Sequence, residues 1–197
     1  MMTVVFDFDG TLTNSFSSVA LFKHLPPLKA IRCVVSLMAQ KVGGRKDYQF
    51  LLVNALKGTD LSVLEQVGRR LPHQPHGMAL LRKFQEEGHE VVVLSYGLKP
   101  VIEAFMEEHG LKVPVMAIDL KYEEGRVCGP ADDPVTHLML RDADDAKARI
   151  VRLLKLKPGF SVGDSIRRDK LSDSYLDIRR FQGPFALLRQ VVVSLLG

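Results

Sequence analysis

Two aspartates, two residues apart, follow a short apolar run near the amino terminus. Val4, Val5 and Phe6 favour a buried β-strand, and Asp7 and Asp9 come next, before a Gly-Thr turn. In extended backbone, residues i and i+2 point to the same side. Both carboxylates are therefore expected at the carboxyl end of the strand, where open α/β sheets bind ligands. Adjacent acids repel unless a cation or a division of roles keeps them together. Mg²⁺ suits such oxygen ligands, and one acid can be a nucleophile while the other transfers protons.

The stretch Asp-Phe-Asp-Gly-Thr-Leu-Thr, residues 7–13, resembles the first signature of the haloacid dehalogenase-like (HAD) superfamily of phosphohydrolases. The resemblance implies that Asp7 attacks phosphorus to form an aspartyl-phosphate and that Asp9 is the general acid and base. It also implies Mg²⁺ bound by Asp7, the backbone carbonyl of Asp9, and Asp164. Dehalogenases of this superfamily lack the second aspartate and P-type ATPases have threonine there, so Asp9 favours turnover of a phosphomonoester.

Ser95 and Gly97 are the next groups suited to a phosphate. They follow the apolar run Val91–Leu94, which is typical of a central parallel strand. The serine can offer a hydroxyl and backbone N–H groups to a phosphate oxygen, and the glycine lets the backbone approach closely. This position resembles the second HAD motif, so both residues are predicted to bind the phosphoryl group.

A fixed positive charge for the phosphate and the nucleophile is expected as a third motif. Lys147, in the first half of a predicted helix over residues 143–156, fits the resemblance because it precedes Gly163-Asp164 in the chain. The alternatives are Arg141, Arg149 and Lys155.

The segment 163–169, Gly-Asp-Ser-Ile-Arg-Arg-Asp, resembles the fourth motif in its longer form. The resemblance implies that Asp164 is a direct Mg²⁺ ligand and that Asp169 assists directly or through water. Asp173 is an alternative to Asp169. The two arginines inside the segment are unusual neighbours for a metal site.

The elements that must position these groups change in type along the chain. Residues 14–74 have helical patterns, with Thr59 or Asp60 capping the last helix, whereas helices and strands alternate from residue 75. This order predicts an α/β fold, with a Rossmann-like parallel-sheet HAD core formed by residues 1–13 and 76–197. An α-helical cap, residues 14–75, is inserted after the first strand. Three further predictions are a hairpin around Glu124-Gly125 at the edge of the sheet, a strand over 175–181 and a closing helix over 184–196.

Composition and charge limit the partners. The chain has 197 residues and a net charge of +4, without a block of five like charges, so nothing in it indicates a nucleic-acid partner. Cys33 and Cys128 lack metal-ligand spacing and read as ordinary thiols. The two thiols fit a reducing cytoplasm, and neither a cleavable signal nor a transmembrane segment is predicted. A monomer and a homodimer are both compatible with the sequence, and peripheral membrane contact is left open.

The predicted function is a Mg²⁺-dependent phosphatase for a small or partly apolar phosphomonoester. The motif layout and the helical insert resemble the phosphoserine-phosphatase-like subclass of the superfamily. Phosphoserine phosphatases carry an acid at the position of Phe16 to hold the substrate ammonium, so phosphoserine itself is disfavoured. The apolar residues Phe22, Leu25 and Leu28 either line the pocket with Phe16 or pack between helices. The alternatives are a phosphotransferase or mutase with the same aspartyl-phosphate, a lipid-phosphate phosphatase at a membrane surface, and a non-catalytic binding protein on this scaffold.

Overall fold

Five parallel strands form the central sheet of the computed structural model, which describes residues 1–41, 48–141 and 145–181. The strands of the described residues are β1 (Thr3–Phe6), β2 (Glu90–Leu98), β3 (Val115–Ile118), β4 (Leu120–Glu123), β5 (Arg126–Pro130), β6 (Pro158–Gly163) and β7 (Tyr175–Asp177). The central sheet has the order β3-β2-β1-β6-β7. Strand β1 pairs with both β2 and β6, and its Val4, Val5 and Phe6 are buried, as expected for a strand covered on both faces. The carboxyl ends of β1, β2 and β6 are therefore neighbours.

Helices flank this sheet. In the described residues they are α1 (Ser17–Ala20), α2 (Pro27–Lys41), α3 (Tyr48–Ala55), α4 (Leu61–Arg70), α5 (Pro75–Glu86), α6 (Lys99–Glu108), α7 (Pro134–Arg141), α8 (Ala146–Leu153) and α9 (Ile166–Asp169). Two 3₁₀ helices cover Phe22–His24 and Ile178–Phe181. The predicted fold class, a parallel sheet flanked by helices with a helical stretch after the first strand, is confirmed.

Helix α4 crosses α6 at very close range. Its first turn is capped by Asp60, whose carboxylate accepts a hydrogen bond from the backbone N–H of Ser62 at 3.1 Å. At the crossing point, a Cβ atom added to Gly68 would lie 2.2 Å from the backbone oxygen of Val101. Only glycine allows this approach, so α4 is fixed against a helix that also packs on the sheet.

The predicted hairpin exists, but its predicted place at the edge of the central sheet is wrong. Strands β4 and β5 form a separate two-stranded antiparallel sheet. This hairpin bonds instead to the loop before α4, where the N–H of Gly58 donates to Val127 at 2.8 Å and that of Val127 to Thr59 at 2.9 Å. The pairing joins segments far apart in the chain, which local turn signals do not report.

Other boundaries also differ from the prediction. Strand β2 does not end at Leu94 but continues to Leu98, with a register shift against β3 between those residues. Helix α7 follows the hairpin where no helix was predicted. The last predicted strand, over 175–181, is shorter because its second half is the 3₁₀ helix Ile178–Phe181.

Two sequence predictions fall partly or wholly outside the described residues. The helix predicted over 143–156 is observed as Ala146–Leu153, with residues 142–144 not described. The closing helix over 184–196 lies outside the described residues. Within the described ranges, no helix has the length and apolar character needed to cross a membrane.

Candidate active site

Three carboxylates meet at the carboxyl edge of the sheet. Asp7 follows β1, Asp164 follows β6, and Asp169 ends the short helix α9. Each offers an oxygen atom within 4.8 Å of the other two. Asp173, the alternative to Asp169, is exposed and outside this group. We call Asp7, Asp164 and Asp169 the acid cluster.

The backbone around Asp7 is anchored from both sides. The N–H of Asp7 donates to the carbonyl of Val162 on β6 at 2.9 Å, which extends the strand pairing by one residue. Phe8 is fully buried, and its ring packs edge-on against Phe105 with 5.1 Å between the ring centroids. Because Phe8 is fixed in the core, the aspartates on either side of it are left at the site.

Lys147 connects two members of the acid cluster. Its side chain is 2% exposed, and Nζ lies 2.5 Å from Oδ1 of Asp7 and 2.6 Å from Oδ1 of Asp169. Burial lowers the pKa of Lys147, but the charges of Asp169 and Asp7 outweigh burial and raise it above its usual value. The lysine is therefore a permanent cation here. The alternatives Arg141, Arg149 and Lys155 are exposed.

The second oxygen of Asp169 is held by backbone. The N–H of Ser165 donates to Oδ2 of Asp169 at 2.9 Å. The close approach of Asp169 to this backbone requires a glycine at the end of β6, because a Cβ atom on Gly163 would lie 2.3 Å from the Cβ of Asp169. The glycine of the predicted Gly-Asp motif thus makes room for the last acid of the same motif.

Asp9 has partners of its own. Its carboxylate accepts hydrogen bonds from the N–H of Ser17 at 2.8 Å and from the Ser17 hydroxyl at 3.0 Å. Burial raises the pKa of Asp9 to about 7, although both hydrogen bonds from Ser17 lower it. Ser17 could not be predicted as a site residue from the sequence, since nothing local shows that the start of α1 turns back onto Asp9.

Ser95 and Gly97 lie inside the extended β2. The Ser95 hydroxyl is buried and accepts a hydrogen bond from the N–H of Gly97 at 3.1 Å. Between them, Tyr96 places its ring 5.5 Å from Nζ of Lys147 and 5.8 Å from Cζ of Arg168, measured to the ring centroid. Tyr96 was also missed, although its position between two predicted phosphate-binding residues could have identified it.

These groups open onto one cavity of about 340 Å³. The predicted residues that line it are Asp7, Asp9, Ser95, Gly97, Lys147, Asp164 and Asp169. Helical residues that follow the first strand form another wall, which includes Phe16, Tyr48 and Leu52. Of the apolar residues considered for the pocket, Phe22 and Leu25 are instead buried in the core and Leu28 is exposed to solvent. Only Phe16 of that group reaches the cavity.

The acid cluster fits a hard divalent cation. Three carboxylates supply the oxygen ligands that Mg²⁺ prefers. Burial, with the nearby charges of Asp7 and Asp169, raises the pKa of Asp164 to about 7, and burial also raises the pKa of Asp7. The positive charges of Lys147 and Arg168 therefore compensate the negative charge incompletely, and a cation at this place would lower the electrostatic cost.

The comparison with family models gives a match over residues 4–179 to the haloacid dehalogenase-like hydrolases. The chain belongs to this family. The match spans every residue of the acid cluster as well as Lys147, Asp9 and Ser95, so the family predicted from the four motifs is confirmed.

Individual relatives of this haloacid dehalogenase-like protein include a phosphoserine phosphatase of Archaeoglobus fulgidus. It is 28% identical over 158 residues, which are 80% of this chain and 44% of the relative, so the chain spans less than half of that protein. Among solved structures, phosphoserine phosphatase from T. onnurineus has a TM-score of 0.62 at 17% identity and covers 96% of this chain and 94% of its own. Cytosolic 5′-nucleotidase IIIB bound to cytidine has a TM-score of 0.61 at 18% identity. The superposition covers 85% of this chain and 66% of the nucleotidase chain. These likenesses show a shared fold.

Proposed function

We propose that this chain is a Mg²⁺-dependent phosphatase that hydrolyses a small or partly apolar phosphomonoester through an aspartyl-phosphate on Asp7. The main support is the buried carboxylate of Asp7, held by the ammonium of Lys147 beside Asp164 and Asp169. Phosphoryl transfer depends chiefly on a positioned nucleophile and compensated charge. The acid cluster with its lysine supplies both.

Two half-reactions follow from this assignment. In the first, an Asp7 oxygen forms a bond to phosphorus while the bond from phosphorus to the ester oxygen breaks, and Asp9 gives its proton to that oxygen. In the second, Asp9 takes a proton from water as the water oxygen attacks phosphorus. The bond from phosphorus to Asp7 then breaks, phosphate leaves, and Asp9 is protonated as at the start.

Asp9 suits this double role. Without a bound cation, a pKa of about 7 keeps both its protonated and its ionised forms populated near neutral pH. The two hydrogen bonds from Ser17 fix the direction of the carboxylate toward the shared cavity. Proton donation and proton removal therefore need no rearrangement of the side chain.

The remaining residues bind and compensate charge. We assign phosphate-oxygen contacts to Ser95 and to the backbone at Gly97, and a fixed positive charge to Lys147. Bound Mg²⁺ would neutralise the phosphate and polarise its oxygens. The residues proposed to hold it are the acid cluster together with the backbone carbonyl of Asp9.

The proposed substrate follows from the cavity wall. We propose residues 14–75 as a cap over a core of residues 1–13 and 76–197, with Phe16 and Leu52 facing the substrate. The ring of Phe16 cannot form an ion pair with an ammonium group, so a small or partly apolar alcohol is favoured over phosphoserine. A location in the cytoplasm and a monomeric or homodimeric state stay predictions.

The test is hydrolysis of p-nitrophenyl phosphate with Mg²⁺ and with EDTA. We expect turnover only with the metal, and its loss in Asp7→Asn. A matched control is Asp173→Asn, which removes an exposed acid from the segment that follows α9 and should keep full activity. If Asp7→Asn hydrolyses the substrate as fast as the unmodified chain, Asp7 is not the nucleophile.

The same assay separates hydrolysis from transfer. Added alcohols compete with water for the aspartyl-phosphate if the site excludes water, and the phosphorylated alcohol is then detected by mass spectrometry. A phosphatase instead releases inorganic phosphate at an unchanged rate.

A further inference from the structure

Helix α2 exposes one apolar face. Leu28, Ile31 and Val35 are 79%, 59% and 60% exposed, and their spacing of three and four residues puts them on one side of the helix. Cys33 and Ser36 point the other way and are buried. We call Leu28, Ile31 and Val35 the α2 stripe.

The α2 stripe differs from the scattered apolar residues of an ordinary surface. In the described part of the chain, half of the large hydrophobic side chains that are exposed belong to α2 and its neighbour α3, where Phe50 is 48% exposed. The two helices pack on each other. The exposed apolar surface is therefore concentrated on one pair of helices.

Every charged residue of α2 is basic, and α3 contains no charged residue. Residues 14–41 and 48–59 contain neither Asp nor Glu, although the chain has 23 of them. The basic residues of these segments are Lys23, Lys29, Arg32, Lys41 and Lys57. Arg32 is exposed, and it follows Ile31 and precedes Val35 by three residues, so it borders the α2 stripe.

This combination selects the partner. A second copy of the chain, docked symmetrically, would place basic surface against basic surface, which is unfavourable. Aliphatic side chains supply neither the stacking nor the hydrogen bonds by which proteins bind nucleic acids. A bilayer with anionic lipids matches both the apolar stripe and the basic charge of α2. The stripe enters the membrane interface while lysine and arginine contact the headgroups. We infer that the α2 stripe and Arg32 dock this protein on anionic membrane surfaces.

The experiment is co-sedimentation of the chain with phosphatidylcholine vesicles, with and without phosphatidylglycerol. We expect binding only to the anionic vesicles, and weaker binding at higher salt. Each basic residue at the surface contributes roughly fivefold to partitioning, so Arg32→Glu should weaken it roughly 30-fold. The double variant Ile31→Ser with Val35→Ser should weaken it roughly tenfold or more.

Matched controls use exposed residues elsewhere. Ile166→Ser removes an apolar side chain that is 60% exposed and far along the chain from α2, and Lys112→Glu reverses an exposed charge. Both should bind vesicles as the unmodified chain does. Circular dichroism checks that every variant is folded, and the vesicle assay needs no catalysis, so the docking proposal can fail while the phosphatase proposal stands.

Three results would overturn the inference. One is equal binding to neutral and anionic vesicles, or none to either. Another is unchanged vesicle binding by the stripe variants. A third is concentration-dependent dimerisation in analytical ultracentrifugation that the stripe variants abolish while vesicles bind nothing, which would identify a second copy as the occupant.

Discussion

Replacing Lys147 by methionine should destabilise the metal-free protein substantially. The ammonium is 2% exposed and lies between carboxylates of Asp7 and Asp169 at 2.5 and 2.6 Å. Methionine has a similar length and fills the space, so the change isolates the charge. Two buried carboxylates then face one another without the ammonium between them, and breaking a buried ion pair in this way costs about 3–5 kcal/mol. Urea unfolding in EDTA at pH 8 measures the loss.

The loss should shrink at lower pH and with Mg²⁺. Burial already raises the pKa of Asp7 above its unfolded value, and removal of Lys147 raises it further. An acid of this kind destabilises the fold fully above its folded pKa, and the penalty declines as pH falls from the folded pKa toward the unfolded one. The difference between variant and unmodified chain should therefore be smaller at pH 5 than at pH 8. Mg²⁺ should stabilise the variant more than the unmodified chain, because it binds the vacated carboxylates.

The control is Lys112→Met, an exposed lysine whose loss should leave the unfolding midpoint unchanged. Phosphatase activity of Lys147→Met should be lost even where Mg²⁺ restores stability, because the fixed charge on the phosphate is missing. An unfolding free energy within about 0.5 kcal/mol of the unmodified chain, in EDTA at pH 8, would refute the compensating role of the lysine.

Three further predictions concern individual groups. Ser17→Ala removes a hydrogen bond that lowers the pKa of Asp9, so the acid limb of the kcat profile should move up by about 0.5–1 pH unit; an unshifted profile contradicts this. Gly68→Ala should cost about 1–3 kcal/mol in urea unfolding because the added methyl meets backbone, whereas Gly129→Ala, with space around it, should cost far less. Because the pKa of Asp164 is about 7 without a cation, Mg²⁺ should bind more weakly below pH 7 and should release protons on binding. Titration calorimetry in two buffers with different ionisation enthalpies measures the proton release, and equal binding heats in the two buffers would contradict it.

The sequence predicts the position of Asp7 and Asp164 at the carboxyl edge of the sheet well, because each of them follows a recognisable buried strand. Val4–Phe6 and Val91–Leu94 are continuous apolar runs, and parallel strands bring their carboxyl ends together whatever the connecting segments do. Asp7 and Asp164 could be placed side by side from that rule and from the motifs that contain them. Lys147 could be chosen only with the family resemblance, since the local sequence does not distinguish it from the three other basic residues considered in that region.

Contacts between distant segments could not be predicted in this way. Ser17 reaches Asp9 because α1 turns back over the site, and no periodicity encodes the direction of that turn. The hairpin was assigned to the wrong sheet for the same reason, because its true partner is the loop at Gly58. Turn chemistry identifies a hairpin but leaves its neighbour unspecified.

The close crossing of α4 and α6 at Gly68 determines which segments of this protein can be exchanged with those of a relative in a chimera. Helix α4 packs closely on α6, and the loop before it bonds to the hairpin, so this segment is a fixed seam between the hairpin and α6. A chimera that exchanges residues 14–57 keeps that seam native. A chimera that exchanges residues 14–75 packs the α4 of the relative against the native α6. If that α4 has no glycine at the position of Gly68, the added side chain would increase the distance between the two helices.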